Sequence, residues 1–157
     1  MTTVVIGGSL RFFKQMNEVS EKLRANNIEH LMANPSLRDA SDLRKLSEEF
    51  KRLTCEEKVR VESRVVENFL QKIRQSDMLY IVNPVDGYVG LHAMGDMFYA
   101  HADKKPVYTW QRVNMEWIKE EKDYYEPDYE RLQEYLSVIV TDKMTPDELV
   151  GFIKKKK

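Results

Sequence analysis

The chain has 157 residues, with 25 Lys and Arg against 26 Asp and Glu, for a formal net charge of −1. That length suits one domain with its own core. A composition 42% apolar and 32% charged excludes a disordered chain, and the balanced charge makes nucleic acid an unexpected partner. The single cysteine, Cys55, excludes an intramolecular disulfide and a cysteine-based zinc site. No apolar run reaches the roughly 18–20 residues of a membrane span, and no charged-then-apolar leader opens the chain. A cytoplasmic protein with no membrane association is expected.

Thr3 to Ile6 is a short run of strand formers. Gly7-Gly8-Ser9 follows, then a helical stripe of Phe12, Met16, Val19 and Leu23. Glycines let backbone N–H groups approach a phosphate, and a helix start presents free donors. Ser9 adds a hydroxyl and Arg11 a guanidinium suited to an anion. The sequence GGS fits neither GxGxxG nor GxxxxGK[ST]. On spacing alone it reads equally as a tight turn with a surface arginine.

Asn26-Asn27 stops the first helix. A second strand is predicted near 28–33, with His30 as a half-buried strand residue. Ser36 to Arg52 reads as polar and helical. Thr54 and Glu57 have capping-box spacing and open a helix to about Gln75, with Val59, Val66, Phe69 and Ile73 on one stripe. The region of about 36–75 is thus a helical insertion between the second and third strands.

Met78 to Val82 is the third predicted strand. Asn83, Pro84, Asp86 and Gly87 break regular structure, and Gly90 closes the loop. A helix from Leu91 to Ala102 is predicted from apolar residues at helical spacing, Leu91, Met94, Phe98 and Ala102. A fourth strand falls near 106–110, followed by an irregular stretch to Glu126 containing Trp117, Tyr124 and Tyr125. Pro127 opens a helix to about Leu136, and a buried strand is predicted near 137–140. Thr145, Pro146 and Glu148 mark the start of a final helix that Leu149, Phe152 and Ile153 pack down. The lysines at 154–157 read as its solvated end.

Alternation of strand and helix implies a parallel sheet with helices on both faces. The expected fold is α/β, a flavodoxin-like three-layer sandwich, with five strands in the order 2-1-3-4-5. Its switch point lies between strands one and three. That brings the 7–11 turn beside the 83–96 segment. Asp96 stands one helical turn after His92 on the same face, as a candidate nucleophile or base or as an ordinary acid near a helix start.

VVIGGSLRFFKQMNEVSEKLRANNIE resembles the opening of the nucleoside 2-deoxyribosyltransferase-like family, which includes related nucleotide N-glycosidases. KIRQSDMLYIVNPVDGYVG is similar to a second signature of that family, with the helix acid, FYA and KKPVY that follow it. The resemblance covers most of residues 3–110. It implies cleavage of an N-glycosidic bond, or deoxyribosyl transfer, by a helix carboxylate that attacks the anomeric carbon. The family's nucleophilic glutamate falls on Asp96. Asp86 and His92 become candidates for handling the base or a proton. Gly7, Gly8, Ser9, Arg11, Asn83, Tyr88 and Gly90 become candidates for holding substrate or phosphate. The implied partner is a nucleoside or nucleotide, with a homo-oligomer and no cofactor or metal.

The chain departs from the pattern at Asp96, one methylene shorter than glutamate. It departs also at Leu91, His92 and Ala93, at Gly95 and Phe98, and at Lys104. A module that binds a nucleotide in the same crevice without turning it over is therefore the alternative expectation.

Overall fold

A computed structural model describes residues 1–32, 48–120 and 126–156. Five strands, β1 (Val4–Gly7), β2 (His30–Met32), β3 (Met78–Ile81), β4 (Val107–Thr109) and β5 (Val140–Lys143), form one sheet in the order β2-β1-β3-β4-β5. Every pairing is parallel. Val4 lies opposite His30 on one side and Met78 on the other. The helices are α1 (Phe13–Ala25), α2 (Cys55–Gln75), α3 (Leu91–Ala102), α4 (Glu126–Ile139) and α5 (Pro146–Lys155). This is the flavodoxin-like α/β arrangement read from the sequence.

The alternation of side chains along each strand builds two cores. Val4, Ile6, Met78, Tyr80 and Val82 point to one face. There they meet Phe12, Met16, Val19 and Leu23 at the start and along the length of α1, and Leu149 and Ile153 of α5. Val5, Leu79, Ile81 and Val107 point to the other, beneath Phe69 and Ile73 of α2, Met97 of α3 and Leu136 of α4. The predicted caps form as well. Thr54 accepts from the Glu57 backbone N–H at 3.2 Å, and Glu57 Oε2 accepts from the Thr54 N–H at 3.0 Å. Thr145 caps α5 by accepting from the Glu148 N–H. Such caps each contribute about 1 kcal/mol. Asn27 takes the left-handed conformation, φ 55°, that ends α1.

The structure departs from the sequence reading in three places. The stripe predicted for α3 is not its buried face: Leu91 is 62% and Phe98 37% exposed. Ala93, Met97 and Ala100 are buried instead. Met97 packs into the core flanked by two alanines, and Leu91 and Phe98 are left outside. The last strand is shifted from 137–140 to Val140–Lys143, because α4 runs on to Ile139. It is an edge strand, and Thr141, Asp142 and Lys143 are exposed rather than buried.

The stripe of α2 is buried only at its end. Phe69 and Ile73 are covered, whereas Val59 is 64% exposed. A helix of 21 residues extends about 31 Å at 1.5 Å per residue, far longer than a four-residue strand, so its first half projects beyond the sheet. The part of the insertion at 36–47 and the pair Tyr124 and Tyr125 lie outside the described residues. His30 is half-buried as expected. Its Nδ1–H donates to the Ile28 carbonyl at 3.0 Å, which leaves Nε2 to accept from the Ser20 hydroxyl at 2.7 Å.

Candidate functional site

A cavity of about 240 Å³ opens at the carboxyl ends of β1 and β3. One side is the β1 turn, Gly7 to Leu10. Opposite stand Val65, Val66 and Phe69 of α2, and Tyr88, Gly90, His92, Ala93 and Asp96 close it from the loop and helix after β3. This is the switch point, where β1 sends its helix to one face and β3 sends its own to the other.

The turn holds its shape because Gly8 has φ 143°, and a Cβ there would lie 2.7 Å from the Val82 carbonyl oxygen. Only glycine brings β1 and β3 this close as they end. Ser9 caps the short 3-10 helix Leu10–Phe12, accepting from the Arg11 N–H at 3.4 Å. The Phe12 N–H is bonded to the Ser9 carbonyl. Those two donors are therefore used within the turn. The first turn of α3 differs: its N-cap is Gly90, which has no side chain to cap the free N–H groups there.

Asp96 supplies the carboxylate among the cavity walls. It stands three residues after Ala93 and four before Ala100, both buried, and its side chain is half-buried. Among the described residues no hydrogen bond or ion pair reaches it, His92 included. Burial without a compensating partner pushes its pKa from the usual carboxylate range up to about 7. His92, one turn before it, is exposed at the cavity mouth.

Gly7, Gly8, Ser9, Tyr88, Gly90, His92 and Asp96 are thus brought together around one space. Three other sequence candidates stand apart from it. Asp86 is exposed, with φ 53°, and borders a separate open groove with Trp110, Arg112 and Lys143. Asn83 is fully buried. Its amide donates to the Gln111 carbonyl at 3.0 Å, and its oxygen accepts from the Gln111 N–H at 2.9 Å. Asn83 therefore ties the loop after β3 to the chain leaving β4. Asn83→Ala would strand both Gln111 groups, and a loss of about 2–3 kcal/mol is expected in urea denaturation. Arg11 does not line the cavity. Its guanidinium lies over the Tyr88 ring, 3.8 Å from the centroid.

Two further residues around the cavity were not singled out as site residues in the sequence. Trp117, in a 3-10 helix at Glu116–Glu120, packs on Tyr88 at 5.6 Å between centroids. Its indole N–H donates to the Val89 carbonyl at 2.8 Å. Phe12 meets Tyr88 edge-on at 6.2 Å. Both contacts join segments remote in sequence, and no local spacing announces them. Among the described residues, no group of three or more His, Cys, Asp or Glu side chains is placed to hold a metal ion. No helix described is long and apolar enough to cross a membrane.

No protein-family profile matches the chain, and no curated protein matches it. Among solved structures it is similar to a 2-deoxyribosyltransferase from the psychrotolerant bacterium Bacillus psychrosaccharolyticus. The two are 14% identical over 88% of this chain and 96% of the other, with a TM-score of 0.44.

Proposed function

We infer that the cavity at the ends of β1 and β3 binds a nucleoside or nucleotide, and that the protein cleaves or exchanges its N-glycosidic bond. The observation that carries this reading is Asp96, a carboxyl without a partner among the described residues, in the wall of a small cavity at the switch point. The 240 Å³ space falls just under the roughly 300–1,000 Å³ usual for drug-sized ligands, a scale suited to a nucleoside.

In the reaction, an Asp96 carboxylate oxygen attacks the anomeric carbon. The bond from that carbon to the base nitrogen breaks, and its electron pair leaves with the base, which takes up a proton. We assign the supply of that proton to His92, which lines the same cavity. The resulting glycosyl ester is opened by water, giving the free sugar, or by the nitrogen of a second base, giving a new nucleoside. Either step returns the carboxylate. The transition state is oxocarbenium-like beside an anion, as in retaining glycoside hydrolysis.

Incubation with 2′-deoxynucleosides, ribonucleosides and their 5′-monophosphates, with and without a free second base, tests the reading by chromatography of released base. The nucleophile is the ionised form of Asp96, so the rate is expected to rise about tenfold per pH unit well below 7 and to bend over as Asp96 ionises near 7. A rate that does not rise with pH below 7 would remove Asp96 as the nucleophile. Absence of base release from every substrate sinks the catalytic reading.

The raised pKa gives the second reading its support. Near pH 7 half of the Asp96 carboxyls are protonated and donate a hydrogen bond as readily as they accept one, which suits recognition without turnover. Saturable binding with no base release is the outcome that favours it.

A further inference from the structure

We propose that Arg11 acts on the cavity as a positioning residue, holding Tyr88 in place as a preformed wall, and does not itself bind a substrate phosphate. This rests on the reading of the cavity given above. Tyr88 contributes to the lining; Arg11 does not. Three side chains from two segments hold the Tyr88 ring: Arg11 and Phe12 from the 3-10 helix after β1, and Trp117 from the segment after β4. The Arg11 guanidinium lies over its face, Phe12 meets it at 72° between ring planes, and Trp117 packs at 47°.

Trp117 is itself fixed by its bond to the Val89 carbonyl, one residue from Tyr88. A planar, weakly hydrated guanidinium is suited to lie on an aromatic ring, where the negative face of the ring attracts it. Among the described residues, Arg11 makes no ion pair that would compete for its charge. The ring also lies against the start of α3: a Cβ at Gly90 would stand 3.4 Å from the Tyr88 hydroxyl. The contact therefore bears on any ligand that touches Tyr88, phosphorylated or not.

The probes are 2′-deoxyadenosine and its 5′-monophosphate, titrated calorimetrically against the wild-type chain, Arg11→Ala, Tyr88→Leu and the double variant. Arg11→Ala is expected to weaken both ligands by the same factor, roughly two- to fivefold for a cation–π contact at an exposed site. In Tyr88→Leu, removing Arg11 is expected to add no further loss. With turnover, KM rises and kcat is unchanged, because Asp96 is not displaced. A loss confined to the monophosphate overturns the proposal and makes Arg11 a phosphate ligand. Additive losses overturn it too.

A chain that binds neither probe overturns the reading of the cavity. The clamp is then decided without ligand, by the upfield ring-current shift of the Arg11 side-chain protons in NMR. A shift that is present in the wild-type chain and lost in Tyr88→Leu sustains it; an unshifted Arg11 overturns it.

Discussion

Asp96→Asn is expected to abolish base release and to stabilise the protein. The amide is nearly the same size but has no charge with which to form a glycosyl ester, so a fall of roughly a thousandfold or more is expected in the chromatographic assay. The second effect follows from the raised pKa. In the unfolded chain Asp96 ionises near 3.8; in the folded chain it holds its proton up to about 7. Between those values the folded state binds more protons, so its stability falls as pH rises.

The whole cost is present above pH 7 and absent below about pH 3.8. Asparagine removes it. The gain at pH 8 is of order 1–4 kcal/mol, and the melting curves of the two proteins should converge near pH 4. A wild-type chain no less stable than the variant at pH 8 would show that the carboxylate has a partner in solution.

Gly87→Ala is expected to cost about 2–4 kcal/mol in urea denaturation. Gly87 sits at φ 66°, and its Cβ would collide with the Arg112 carbonyl oxygen. That oxygen belongs to a backbone segment that cannot simply rotate away, because the Asn114 N–H donates to the Gly87 carbonyl at 3.0 Å and Tyr88 and Asn114 form a parallel bridge. The same substitution at Gly95 has the opposite sign. Gly95 is exposed within α3, and a Cβ there meets nothing within 4 Å. Gly95→Ala should therefore stabilise by about 0.5–1 kcal/mol through helix propensity alone. Equal losses at both positions would contradict the contact geometry around Gly87.

The scaffold was legible because its periods are local. Strand, breaker and helix follow one another closely enough that Val4, Met78 and Val107 could be placed on strands and Leu23 and Ile153 on buried helix faces. Parallel connectivity then left few possible orders. Apolar spacing predicted the helix α3 but not its buried face. The helix has apolar residues on several sides, so spacing alone does not say that Ala93, Met97 and Ala100 are the ones covered.

The candidate cavity was legible where topology alone brings segments together, as with Ser9 and Asp96. It was not legible where a side chain's partner is distant in the chain. Nothing near Asn83 indicates that Gln111 consumes its amide, and nothing near Arg11 indicates that Tyr88 lies beneath it. The charge state of Asp96 likewise depends on Val65, Phe69 and Ala93 keeping water and cations away, a property of the assembled wall.

The overhang of α2 separates two demands that small domains usually load onto the same residues. Among the described residues from 55 to 68, none is buried, so the core scarcely depends on that half of the helix. Yet Val65 and Val66, within it, form one side of the cavity. Substitutions there can reshape the space at little cost to folding, whereas any change at Gly8 or Ala93 disturbs strand and helix together. Drift or selection can thus retune what the cavity admits through a helix the sheet barely requires, with the carboxylate and the glycine turn left as they are.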